Sequence, residues 1–351
     1  MNTIHRNLCS VMWQAIVLPL AALSLLVACN ETPQTFSLRG SGLDLPDGTV
    51  VAISSHEAGY EAIAETVIKD GAFELLADIQ TPMPALLTTN NLALVEQNGW
   101  PTDSIRWNYI DCYISPCAME LQPDLTVRGG QPQTDFAEYL SQYKSSPRGD
   151  WQFMLDHPRS VVSMWLACAT LQRGYHLDAA QLDTLAQTLT SMPEDTAHFN
   201  EFQQRLALYR KTVKGGALLD LQVQDTEGKT CQLTEVLPQS KYVFIDFWAS
   251  WCGICLYSMP DVKAVAEEYA EQLAVIGVSC DTDEAAWREA MAKHDMPWPH
   301  YILTKEGYDT FFKDYQVGNG VPYYLLIGPD GNVVSAPDHV DDVKPIIILS
   351  L

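Results

Sequence analysis

The sequence predicts an α/β domain at its C-terminal end, preceded by a small antiparallel β domain and a helical segment. Three observations carry this. Residues 217–351 alternate apolar strand runs with amphipathic helical runs. Residues 35–130 carry short alternating runs between turn signals, and about 134–214 carry apolar residues at helical spacing. At 351 residues, there is room for two or three domains with cores of their own. An apolar share of 47% is too high for a disordered chain. A formal charge of −23 repels phosphate backbones and argues against nucleic acid as a partner. Nine cysteines are too few for a disulfide scaffold but enough for a redox or metal site.

Residues 1–28 read as a targeting segment. Arg6 lies in a start without acids, and Leu8 to Ala28 is almost wholly apolar. Leu26-Val27-Ala28-Cys29 resembles the lipobox of bacterial lipoproteins. That resemblance implies cleavage before Cys29, acylation of Cys29 and attachment to a membrane without crossing it. The other reading is a spanning helix, for which 21 apolar residues just suffice. Cleavage would remove Arg6 and no acid, taking the charge from −23 to −24.

The β-rich domain is expected over 29–130, with strand candidates at Phe36–Gly40, Thr49–Ile53, Thr66–Ile68 and Ala72–Leu75. Pro46-Asp47-Gly48 and Lys69-Asp70-Gly71 are its turn signals. In the helical segment, 131–214, Val161, Val162, Trp165, Leu166 and Ala169 form one apolar stripe, and Leu182, Leu185 and Leu189 another. Asp178 and Glu194 sit near helix starts. Gly215-Gly216 breaks the pattern and opens the last domain, 215–351. There, Lys241 to Trp248 is an apolar run containing one acid, as in a strand buried on both faces. Cys252 to Ala270 reads as a helix with Pro260 inside, Leu273 to Cys280 as a second buried strand, and Asp283 to His294 as a helix capped by Asp283. Tyr323 to Ile327 and Asn332 to Ser335 form a hairpin around Gly328-Pro329-Asp330-Gly331.

The chemistry concentrates at Trp251-Cys252-Gly253-Ile254-Cys255. Two cysteines three apart at a strand-to-helix junction can close a small disulfide ring. At a helix N-terminus, free N–H groups and the dipole stabilise the thiolate, which is the attacking species. The second cysteine lies one turn inside the helix, where it can resolve a mixed disulfide. Half a zinc site is the competing reading, but no second CxxC or histidine cluster supplies the other ligands. No metal or organic cofactor is expected. Asp246 is the only acid in Tyr242 to Trp248. Burial should raise its pKa toward neutrality and fit it to move the proton of Cys255. The alternative is a carboxylate hydrogen-bonded to nearby backbone.

Phe244-Ile245-Asp246-Phe247-Trp248-Ala249-Ser250 followed by the CxxC resembles the active-site segment of thioredoxin-fold proteins. Met259-Pro260, Gly320-Val321-Pro322-Tyr323 and Leu326-Ile327-Gly328-Pro329-Asp330-Gly331 narrow the resemblance to the TlpA/ResA-like branch, over about residues 215–337. It implies that Cys252 is the nucleophile, Cys255 the resolving thiol, Pro322 a cis-proline facing the disulfide and Asp246 the buried acid beneath it. A cis bond would aim the Val321 backbone at a docked peptide. Trp248, Trp251 and Tyr257 either rim the disulfide as a docking surface or pack in the core. Three features depart from the branch: Gly-Ile between the cysteines, Ser258 where an acid is common, and only 14 residues after Pro337 for a last helix. Cys112 and Cys117 either pair or remain two thiols, and Cys168, Cys231 and Cys280 read as core residues.

The expected function is a membrane-anchored, periplasm-facing thiol–disulfide oxidoreductase of the cell envelope. It would reduce disulfides of protein clients and be recharged by a membrane thiol–disulfide electron donor. A thiol peroxidase and a non-enzymatic surface-binding lipoprotein are the alternatives. Metabolic labelling with palmitate should mark the wild-type chain and not Cys29→Ser, which should leave the membrane fraction. Equal labelling of the two would overturn lipidation at Cys29.

Overall fold

The computed structural model describes residues 36–55, 61–191, 196–239, 241–315, 317 and 320–349. The targeting segment, Cys29 and Glu194 lie outside the described residues.

Period-two alternation builds the first domain. β1 (Phe36–Gly40) turns Phe36 and Leu38 inward and Arg39 outward. β2 (Val50–Ser55), β3 (Ala62–Val67), β4 (Phe73–Ala77), β5 (Met83–Asn90), a short helix α1 (Leu92–Asn98), β6 (Trp107–Ile114), β7 (Ala118–Leu121) and β8 (Val127–Arg128) follow. The strands form two four-stranded sheets, ordered β4-β1-β7-β8 and β3-β2-β5-β6. Phe36 and Leu75 from one and Val51, Ile53 and Leu87 from the other share one core. The pairing is antiparallel, as the sequence predicts, except that β1 and β7 run parallel. Those two strands are far apart in sequence, so no tight turn imposes their direction. At Lys69-Asp70-Gly71 the predicted turn forms, with positive φ at both Asp70 and Gly71. Lys69 and Ala72 exchange both backbone hydrogen bonds around it.

α2 (Gly130–Glu138), α3 (Gly149–Asp156), α4 (Val161–Thr170), α5 (Ala179–Thr188) and α6 (Thr196–Tyr209) make the helical segment. Their core contains Val162, Leu166, Leu182 and Leu185. Asp178 caps α5: its carboxylate accepts from Gln181 N, while the Gln181 side chain accepts from Asp178 N. Tyr113 of β6 also enters this core. Its N–H donates to Gln133 Oε1 at 2.7 Å, and Gln133 Nε2 donates to Val127 O at 3.2 Å, which seats α2 on the sheets.

The last domain contains β9 (Gln222–Asp225), β10 (Thr230–Gln232), β11 (Tyr242–Trp248), α7 (Gly253–Glu268), β12 (Leu273–Ser279), α8 (Glu284–Lys293), β13 (His300–Leu303), α9 (Lys305–Asp314), β14 (Tyr323–Ile327), β15 (Val333–Ser335) and α10 (Val343–Leu349). Its seven strands are ordered β10-β9-β13-β12-β11-β14-β15. Val243 to Trp248 are all buried, so β11 is covered on both faces. β11 pairs parallel with β12 and antiparallel with β14. The last helix is short but present. Pro345 sits in its first turn, where an N–H would have no intrahelical partner, and Val343 and Ile347 are fully buried.

Two residues from the helical segment are built into this last domain. Gly174 N donates to Tyr315 O, and Tyr323 Oη donates to Gly174 O. Tyr175 lies in the C-terminal core; its hydroxyl donates to Ala217 O at 3.0 Å and accepts from Leu219 N at 2.7 Å. Tyr175→Phe leaves those two backbone groups without the hydroxyl. Urea unfolding should then show a lower midpoint at unchanged slope, a loss of about 1–3 kcal/mol. An unchanged midpoint would mean that the hydroxyl contributes nothing there.

Candidate active site

The turn that follows β11 is held from below. Cys280 N donates to Trp248 O, and Cys252 N donates to Ala249 O. Between them, Ser250 N and Oγ donate to the Asp281 carboxylate at 2.9 and 2.6 Å, which also accepts from Ser279 Oγ at 2.6 Å. Asp281 is buried at the end of β12, so the strand that neighbours β11 fixes the approach to the cysteines.

Cys252 is the N-cap of α7, with extended backbone, and Cys255 N donates to its sulfur at 3.2 Å. The two cysteines form a disulfide. Cys255 is fully buried, whereas Cys252 keeps a sliver of surface, 5%. The helix offers its unpaired N–H groups to one sulfur only. On reduction, that sulfur gains the thiolate stabilisation of a helix N-terminus and the other does not.

Asp246 lies in mid-β11, in register with Gly277 of β12 and Tyr324 of β14. It is buried, and neither carboxylate oxygen has a hydrogen-bond partner among the described residues. Burial alone pushes its pKa up to about 7. Tyr324 is pushed up to about 12, first by its own burial and then by the charge of Asp246. The Tyr324 hydroxyl lies 3.1 Å from Ser258 Oγ, which donates to Cys255 O at 2.9 Å. Ser258, a departure from the resembling branch, therefore ties the first turns of α7 to β14.

Gly320-Val321-Pro322 faces the disulfide from β14. The Val321–Pro322 bond is cis, and Val321 O lies 3.5 Å from Cys252 Sγ. Trp251, Ile254 and Tyr257 form an exposed apolar rim, 64%, 64% and 81% accessible. Trp248 takes the core reading instead: it is fully buried beside His300. Gly277 makes that possible, because a Cβ there would collide with both rings.

The other cysteines stand apart. Cys112 is a buried thiol donating to Ala85 O at 3.5 Å, and Cys117 contacts Ser115 Oγ at 3.2 Å; they are not bonded to each other. Cys168 and Cys280 are buried thiols and Cys231 is half-buried. Among the described residues, no group of three or more His, Cys, Asp or Glu side chains could hold a metal ion.

Sequence reasoning missed Asp281, Ile254 and Arg173. An acid directly after a buried strand was a readable signal for Asp281. Exposure at the first turn of a helix could have flagged Ile254. Arg173 had no signal: its Nη2 donates to Pro322 O at 2.8 Å from 149 positions away.

Residues 239–333 match the family model described as thioredoxin-like. The C-terminal domain has a thioredoxin fold. The thiol-disulfide oxidoreductase ResA of Bacillus cereus is 31% identical over 113 residues, which are 32% of this chain and 62% of that protein. The thioredoxin-like protein YneN of Bacillus subtilis is 28% identical over 110 residues, 30% of this chain and 61% of that protein. This chain thus spans less than two thirds of the length of either relative. Among solved structures, the thioredoxin domain of a thiol-disulfide oxidoreductase from Bacteroides vulgatus aligns at 23% identity and a TM-score of 0.36, covering 39% of this chain and 96% of that one. Among the described residues of this chain, no helix is long and apolar enough to cross a membrane.

The raised pKa of Asp246 predicts a pH-dependent stability. An acid with a folded-state pKa near 7 keeps a proton that the unfolded chain, with a value near 3.8, has already released. Native stability is therefore full below about pH 4 and is lost as pH rises toward about 7. Asp246→Asn should remove that loss and be more stable than wild type at about pH 8, by a few kcal/mol, yet not below about pH 4. Parallel urea curves across this range check it. A constant difference between the two proteins would mean that Asp246 does not titrate there.

Proposed function

We propose that this protein is a thiol–disulfide oxidoreductase that reduces disulfides in protein clients, held at the cell envelope by lipid on Cys29. The observation that carries the reading is the Cys252–Cys255 disulfide, capping α7 beneath Val321–Pro322 and ringed by exposed Trp251, Ile254 and Tyr257. The thioredoxin-like family match and the names of the relatives support it.

In the dithiol state, the Cys252 thiolate attacks one sulfur of a client disulfide. A Cys252–client bond forms, the client S–S bond breaks and one client thiolate leaves. Cys255, deprotonated by Asp246, then attacks Cys252 Sγ. The Cys252–Cys255 bond forms as the mixed disulfide breaks, and the client departs as a dithiol. Two electrons and two protons have passed from the cysteine pair to the client. A dithiol donor at the membrane returns the pair to its reduced state by the reverse exchange. Asp246 acts as proton carrier in a dry site, where a group titrating near neutrality can accept a proton and return it. The exposed apolar rim gives an extended client segment a place to lie, with the Val321 backbone available for a strand-like pairing.

The role division has a direct test. Cys252→Ser should abolish insulin reduction. Cys255→Ser should stall at the mixed disulfide and accumulate client adducts that dithiothreitol releases on non-reducing gels. Reduction that persists in Cys252→Ser, or adducts that form through residue 255 instead, would overturn the assignment.

A further inference from the structure

We infer that Arg173, in the helical segment, is a positioning residue of the redox site, so that the segment before the thioredoxin-fold domain is a working part of client binding. The inference rests on the disulfide-exchange reading above.

Arg173 follows α4 and reaches across to the loop that covers the disulfide. Nη2 donates to Pro322 O at 2.8 Å, and the guanidinium lies over the Tyr323 ring, 4.8 Å from its centroid. Nη1 is 3.6 Å from Asp338 Oδ1. The arginine side chain is 23% exposed against 67% for Asp338, so the ion pair sits at the surface and contributes little. The contacts to Pro322 and Tyr323 are the shielded ones.

Their placement gives them meaning. The Pro322 carbonyl belongs to the peptide just after the cis bond, and Val321 O, one residue earlier, lies 3.5 Å from Cys252 Sγ. A planar guanidinium that bonds one carbonyl and stacks on the next ring restrains the Pro322–Tyr323 peptide in both direction and tilt. Arg173 is itself anchored. The adjacent Gly174 bonds Tyr315 O through its N–H and Tyr323 Oη through its carbonyl. Gly174 also packs so closely on Thr212 that a Cβ would not fit. The helical segment thus holds the loop from behind while the disulfide faces its front. Val321 offers its backbone to a client from this loop, so Arg173 should matter for an extended protein substrate. A small disulfide that only touches Cys252 should not need it.

The test uses the chain from residue 29 onward with Arg173→Met, which keeps an apolar stem over Tyr323 without donors, and Arg173→Lys, which keeps the charge and loses the fork. Insulin and the small aromatic disulfide 5,5′-dithiobis(2-nitrobenzoate), reacted with the pre-reduced protein, are the two substrates. Arg173→Met should raise KM for insulin about five- to tenfold, with kcat and the small-disulfide rate within about twofold of wild type. Arg173→Lys should fall between, and Asp338→Asn should match wild type. Wild-type KM in both arginine variants would overturn the inference, as would insulin and small-disulfide rates that fall together, the mark of general structural damage. A wild-type chain that reduces neither substrate would instead overturn the disulfide-exchange reading and this inference with it.

Discussion

Covering β11 on both faces with apolar side chains is the constraint from which the site follows. Val243 to Trp248 have no solvent, so every backbone group must pair within the sheet, and β12 and β14 supply those partners. The same burial strips water from Asp246 and moves its titration to about 7. The strand ends where its two neighbours can reach the following turn. Asp281, from the end of β12, grips Ser250, and Val321, just before β14, faces Cys252. The helix that starts at that turn then offers its free N–H groups to Cys252 alone.

Charge has little part near the sulfurs. The rim of Trp251, Ile254 and Tyr257 is apolar in a chain of net charge −23. An acidic protein would repel acidic clients at long range, so an uncharged contact zone around the disulfide relies on apolar burial and backbone pairing for association. That suits substrates recognised by an exposed extended segment around a disulfide more than by a particular charge pattern.

The thioredoxin-fold domain is not independent of what precedes it. Tyr175 sits in its core, Gly174 bonds Tyr315 and Tyr323, and Arg173 bonds Pro322. In the other direction, Tyr113 of the first domain enters the helical core. Each domain thus lends at least one side chain to the next, which makes the helical segment a mechanical link between the β domain and the redox site.

The candidate site was legible wherever local sequence sets local geometry. An apolar run with one acid, a CxxC at its end and helical spacing beyond it identified β11, Asp246, Cys252, Cys255 and α7, because strand burial and helix capping are decided by residues close in the chain. Asp178 and Asp283 could be read as caps for the same reason. Contacts between distant segments could not be read. The parallel pairing of β1 with β7, the burial of Trp248 against His300 in the space left by Gly277, the separation of Cys112 from Cys117 and the reach of Arg173 to Pro322 all depend on how far-apart pieces pack. Periodicity reports which face of an element is apolar but not which partner covers it. The sequence by itself determined where the redox chemistry lies and which sulfur meets the helix N-terminus; only the tertiary structure decided what holds the opposing loop, because that depends on a side chain brought there by packing.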